Sequence, residues 1–170
     1  MKSILIFVAF VSCYPSWAQR IVPRTESIVV TGKIKNPLVF PLADLDTFQS
    51  VPIQDRIIYN HKGEVKDTLT GLSGIPLKNL LSKIQFVYEK PKNLNEFYLS
   101  FIASDGYKVV FSWNEIYNTE AGNKFFIITE MEGKKLKDLA QRILFISTSD
   151  LESGRRYIKG LQKIEVRQIE

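Results

Sequence analysis

Residues 97–103 and 107–111 form two apolar, β-rich runs separated by no more than Ser104-Asp105-Gly106. An Asp-Gly step tolerates the positive φ angles of a tight hairpin loop, and between two such runs it commits both to antiparallel pairing. Similar punctuation recurs along the chain. It restricts the fold to short strands joined by turns, with little room for long helices.

Residues 27–33 are β-rich and predict a first strand, closed by the Asn36-Pro37 turn. Pro41 opens a short segment in which Leu42, Leu45 and Phe48 recur at helical spacing, with Asp44 and Asp46 placed early to suit the helix dipole. Residues 51–59 alternate apolar positions and run into Asn60-His61-Lys62-Gly63, and residues 64–70 follow, which predicts a β-hairpin with its tip at residues 61–63. Residues 71–76, with two glycines, are expected to be a loop. Pro76 then starts a helix that buries Leu77, Leu80, Leu81 and Ile84. Residues 89–95 are polar, contain Pro91 and read as a loop. Residues 113–117 predict one or two helical turns, and residues 125–130 a strand closed by Glu132-Gly133. Residues 142–147 and 161–169 predict the remaining strands. Strands outnumber helices and most joins are hairpin-like. The expected class is therefore α+β with a mixed, largely antiparallel sheet and short helices, not a doubly wound parallel sheet.

The first eighteen residues have a different character. Lys2 gives a positive start, residues 4–12 are uninterruptedly apolar or small, and Pro15 precedes Ser16-Trp17-Ala18. That is the pattern of a cleaved secretory signal. The apolar run is shorter than the roughly 20 residues a bilayer requires, and no second run approaches that length, so no membrane span is expected. Residues 1–18 are set apart as a signal peptide, residues 19–26 as a polar lead-in and residues 27–170 as one domain, exported to the periplasm or secreted. A second processing route stays open, in which Ser12-Cys13 ends a lipobox and Cys13 carries the lipid.

The whole chain has 23 Lys+Arg against 18 Asp+Glu, a formal charge of +5. Its basic residues are dispersed apart from Lys134-Lys135 and Arg155-Arg156, which is not the clustered footprint of a nucleic-acid binder. Cys13 is the only cysteine and His61 the only histidine. After signal removal the domain has no thiol for a disulfide, a metal thiolate or a nucleophile, and one imidazole is a poor basis for a zinc site. Gly71-Leu72-Ser73-Gly74 has the wrong spacing for a hydrolase nucleophile turn. No Gly-x-Gly-x-x-Gly or Walker loop is present.

Several strings then fall in a telling order. Thr31-Gly32-Lys33-Ile34-Lys35-Asn36-Pro37 is followed by Phe40-Pro41-Leu42-Ala43-Asp44-Leu45, then by Gly74-Ile75-Pro76-Leu77-Lys78-Asn79-Leu80-Leu81. Next come Ala103-Ser104-Asp105-Gly106-Tyr107-Lys108-Val109-Val110-Phe111-Ser112 and Glu115-Ile116-Tyr117-Asn118. The series closes on Gly154-Arg155-Arg156-Tyr157-Ile158-Lys159-Gly160-Leu161-Gln162-Lys163-Ile164-Glu165-Val166. Together these strings resemble the molybdopterin-binding domain of sulfite-oxidase-like oxidoreductases, over residues 27–167.

The resemblance implies a mixed α+β domain, a molybdenum held by a cysteine thiolate, and basic residues gripping the pterin phosphate. Thiolate is the soft ligand that such a metal site uses. In this chain the stretch that would carry the cysteine reads Ile57-Ile58-Tyr59-Asn60-His61-Lys62-Gly63, with no cysteine and with His61 nearest the place. His61 is a candidate ligand contact on that ground, and equally a solvated turn residue. Arg156 and Lys159 match the family's basic-x-x-Lys spacing, with Arg155 beside them. An Arg fork and a Lys point charge suit a phosphate, although the same cations can simply end a strand in water. Asp105 is explained by its turn, and Tyr107, Trp113 and Tyr117 by a core. Glu115, Glu130 and Glu132 form no paired constellation by spacing.

The expected function is a non-catalytic exported module that binds an anionic small molecule, a pterin phosphate or a protein partner. Its candidate groove lies at Arg155, Arg156, Lys159 and His61, and no cofactor is expected. The alternative is a molybdopterin-dependent oxidoreductase, or its subunit, that binds the cofactor without a cysteine. A third reading is a structural or partner-binding protein whose pocket has closed, which a filled pocket would favour.

Overall fold

The computed structural model describes residues 22–169; the expected signal segment, Cys13 included, lies outside them. The domain opens with β1 (Ser27–Gly32), β2 (Leu38–Pro41) and the short helix α1 (Leu42–Leu45). Then come β3 (Val51–Ile53), β4 (Arg56–Tyr59), β5 (Val65–Leu69), β6 (Leu72–Pro76) and α2 (Leu77–Leu81). After a 3-10 turn at Pro91–Glu96 follow β7 (Phe97–Ala103), β8 (Lys108–Ser112), α3 (Trp113–Tyr117), β9 (Phe125–Met131) and β10 (Lys134–Lys135). Finally come β11 (Leu144–Ser147), a 3-10 turn at Ser153–Arg155, and β12 (Leu161–Gln168).

The strands form two main sheets, ordered β2-β1-β12-β7-β8 and β10-β9-β6-β3, with β11 also paired to β9. A separate two-stranded ribbon is made by β4 and β5. β1 and β12 run parallel, with Val30 opposite Ile164, and the other pairings are antiparallel. The class is therefore α+β with a mixed, mostly antiparallel sheet and few short helices. Among the described residues no helix is long and apolar enough to cross a membrane.

Side-chain alternation accounts for the first sheet. In β7, Phe97, Leu99, Phe101 and Ala103 are buried while the residues between them are partly exposed, as a period of two requires. β9 instead buries Phe125, Phe126, Ile127 and Ile128 in succession, the mark of a strand covered on both faces. The sheets meet at four phenylalanines. Phe101 and Phe111 come from the first sheet, Phe125 and Phe145 from the second, with ring centroids 4.9–5.9 Å apart. Such tilted and edge-on pairs add about 0.5–1.5 kcal/mol each to the burial gain.

The Asp-Gly hairpin, the α2 start after Pro76 and the α3 turns are as expected. Four expectations need correction. Residues 72–76 are not loop but β6, paired on both edges. Residues 51–59 are not one strand: β3 belongs to the second sheet, and the chain leaves it at Gln54-Asp55 to start the ribbon. Residues 38–41, left between a turn and a helix, form the edge strand β2. Residues 91–96, expected as loop, make a 3-10 turn.

Candidate functional site

The β4–β5 ribbon sets one wall of the site. At its tip the Asn60 Oδ1 accepts the N–H groups of Lys62 and Glu64, at 2.8 and 3.0 Å, while its Nδ2 donates to the Glu64 carboxylate at 2.7 Å. Gly63 supplies the positive φ of the turn, +76°. His61 thus sits exposed on a braced crown.

The ribbon is docked to the body through the 3-10 turn at Ser153–Arg155. The buried Ser153 hydroxyl donates to the Ile57 carbonyl at 2.9 Å and accepts from the Tyr59 N–H at 3.3 Å. It takes the place that a neighbouring strand would fill. Gly154 follows because nothing larger fits: a Cβ there would lie 2.3 Å from the Tyr59 carbonyl oxygen. The docking directs the next residues, Arg155, Tyr157 and Lys159, toward the ribbon. From the other side the β7–β8 turn brings in Asp105, whose Oδ1 accepts the Tyr107 N–H at 2.9 Å, and Tyr107, whose hydroxyl donates to the Arg155 carbonyl.

Between these walls lies an open cleft of about 730 Å³. Its charged and aromatic lining comprises His61, Lys66, Arg155, Lys159, Asp105 and the rings of Tyr107 and Tyr157. An open cleft at this place is not the filled pocket of the third reading. Arg155 shares its Nε with the exposed Glu152 at 2.9 Å, and the Lys159 ammonium stands 3.9 Å from Asp67 and 5.3 Å from the centre of the Tyr157 ring. Burial pushes the Tyr157 phenol above its usual range, and the nearby Asp67 and Glu132 add to this, so it stays a neutral donor. Cationic groups outnumber carboxylates on the lining, which favours an anionic guest.

Arg156 is placed elsewhere. It does not line the cleft. Its guanidinium grips Asp150 with two N–H groups, one of them at 2.7 Å, gives a third to Glu115, and lies 4.9 Å from the centre of the Phe111 ring and 5.5 Å from that of Phe125. The hydrogen bond to Asp150 leads in raising its pKa, partly offset by burial, with Glu115 adding to the rise. Glu115 reaches it from the first turn of α3, where the Ser112 hydroxyl caps the helix by accepting the Glu115 N–H at 2.9 Å. The side chain ties the loop after β11 to α3 and covers the aromatic cluster.

Of the four residues singled out in the sequence, His61, Arg155 and Lys159 are therefore brought together, and Arg156 is not among them. Lys66, Asn60, Gln141 and Tyr157 line the cleft without having been singled out. Lys66 is the extra residue where the ribbon register shifts, between Val65 opposite Tyr59 and Asp67 opposite Ile58, and spacing in the sequence does not announce it. Tyr157 lies inside the closing string, between two cations. The donor set does not fit a protein-ligated molybdenum: the lining has no thiol, one imidazole and one carboxylate. Among the described residues no three His, Cys, Asp or Glu side chains gather to hold a metal ion.

No protein-family model and no curated protein matches this chain. Among solved structures it is similar to the sulfane dehydrogenase SoxCD from Paracoccus pantotrophus, with a TM-score of 0.63 at 14% identity. The match covers 90% of this chain and 42% of the other, so this chain spans less than half of that protein's length. At such identity the likeness is one of fold, and a distant one.

Proposed function

We propose that this chain is an exported relative of the sulfite-oxidase-like molybdopterin-binding domains that binds an anionic ligand and carries out no metal redox chemistry. The observation that carries this reading is the convergence of Lys66, Arg155, Lys159 and His61 on one open cleft that offers no thiolate. A phosphate or similar oxyanion gains charge-assisted hydrogen bonds from Arg and Lys together, and the partly exposed Tyr107 ring gives a flat guest a surface.

One observation favours a second reading. The structural neighbour is by its name a dehydrogenase. In that reading the chain is a molybdopterin-dependent oxidoreductase or its subunit, the cleft cations hold the pterin phosphate, and no protein thiolate is involved.

Calorimetric titration with a pterin phosphate and with inorganic phosphate tests the proposal. Binding should weaken with salt, since exposed charges are screened over about 8–10 Å near physiological ionic strength. It should weaken further, by about 1.5–3 kcal/mol per charged hydrogen bond lost, in Arg155→Ala combined with Lys159→Ala. Unchanged binding in that variant moves the site. Molybdenum that copurifies with the wild type and is lost in His61→Ala supports the second reading instead.

A further inference from the structure

A second cleft, of about 360 Å³, lies where β3 gives way to β4, against the start of β9 and the end of β11. Arg56, Lys124 and Ser149 line it, over apolar surface from Pro52, Ile53 and Phe126. Among the described residues no carboxylate lines it, whereas the basic cleft above includes Asp105 and a third cleft includes Asp46 and Glu130.

Arg56 is half-buried and donates one N–H to the Thr148 carbonyl at 2.6 Å, and among the described residues neither Arg56 nor Lys124 makes an ion pair. A guanidinium has five N–H donors in a fixed fork, so one bond to a carbonyl orients the group and leaves donors for a guest. The fixing carbonyl belongs to a residue that is itself held, because the Thr148 N–H donates to the Lys124 carbonyl at 2.8 Å. Arg56 and Lys124 are thus tied to one short stretch of backbone. The cations select an oxyanion and the apolar floor selects what it is attached to.

We propose that this cleft is a second binding site, specific for a small organic carboxylate: Arg56 and Lys124 hold the carboxylate, and Pro52, Ile53 and Phe126 carry the apolar body. It is independent of the basic cleft, with which it shares no lining residue.

The test is titration of the full domain with benzoate, acetate and sulfate, followed by calorimetry and by amide chemical shifts. Benzoate should bind more tightly than acetate or sulfate, and shifts should centre on residues 52–56, 123–126 and 148–149. Lys124→Gln, at an exposed position, should fold normally and weaken benzoate about tenfold, the loss of one charge-assisted contact. Arg56→Gln should weaken it at least as much. Arg155→Ala with Lys159→Ala should leave benzoate binding unchanged. The proposal is overturned if sulfate binds as well as benzoate, if folded Lys124→Gln binds benzoate like the wild type, or if no shift appears at roughly 10 mM benzoate, beyond the weak end of specific affinity. Benzoate binding lost only with Arg155 and Lys159 assigns the carboxylate to the basic cleft.

Discussion

Arg156→Ala separates support of the fold from contact with a ligand. The Asp150 side chain is 9% exposed and Arg156 25% exposed. Without the guanidinium, Asp150 keeps its bond from the Ser147 hydroxyl, 2.6 Å, as a buried charge without its cation. Breaking such a pair costs about 3–5 kcal/mol, and partial access of water puts this case near 3. Glu115, 28% exposed, returns to water and adds little. Loss of the cation over Phe111 and Phe125 adds about 0.5–1 kcal/mol. The sum, about 3.5–4 kcal/mol, corresponds to a fall in Tm of about 7–16 °C for a domain of this size. Arg155→Ala removes only an exposed pair with Glu152 and should cost less than about 0.5 kcal/mol. Arg156→Lys should fall between the two, since it keeps the charge and loses the fork. Thermal and urea melts of the three variants, with phosphate titrations of those that fold, form the assay. If Arg156→Ala melts like the wild type but loses phosphate affinity, Arg156 is a ligand contact and the reasoning fails.

Three further outcomes are expected. Phe145→Ala, which empties the centre of the ring cluster, should cost about 3–5 kcal/mol in urea unfolding, and a loss below about 1 would show that the sheets do not meet there. Gly154→Ala should push the ribbon off the Ser153–Arg155 turn, costing about 1–3 kcal/mol and speeding amide exchange in β4 and β5 first; uniform exchange across the domain would count against local docking. Burial holds the Tyr117 and Tyr157 phenols protonated above their usual range. Their folded pKa values are raised, so the stability they contribute is complete below about pH 10 and is lost as pH rises beyond it. Phenolate absorbance of these two should appear together with loss of circular dichroism. Reversible ionisation of every tyrosine near pH 10 with the fold intact would contradict this.

The parts of the fold that were legible are those where local chemistry and tertiary structure agree. Asp105-Gly106 sits between two apolar, β-rich runs, so β7 and β8 are readable from the residues alone. β6 reads as a loop in the sequence because Gly71, Gly74 and Pro76 look like punctuation. Gly74 is in fact a strand residue pressed on its neighbours: a Cβ would come 2.8 Å from the Ile127 carbonyl oxygen. At the break after β3, Asp55 accepts the Gly71 N–H at 2.9 Å, a contact between the place where the chain leaves the second sheet for the ribbon and the place where it returns. No pattern in residues 51–59 announces it. The site shows the same division. The run of cations was visible, but which of Arg155 and Arg156 faces the cleft is decided by how Gly154 docks on Tyr59, a distant contact that spacing does not encode.

The placement of β12 has a consequence for how the domain is made. It lies between β1 and β7, opposite Val29 to Gly32 on one side and Phe97 to Ala103 on the other. Every other described strand leaves the ribosome before it. Until residues 161–168 emerge, β1 and β7 face each other across a gap one strand wide, each with an open edge able to recruit another chain. Formation of the first sheet therefore waits for its central strand, the last of the described strands to be made. Loss of that strand splits the sheet in two, where loss of β8 would only narrow it.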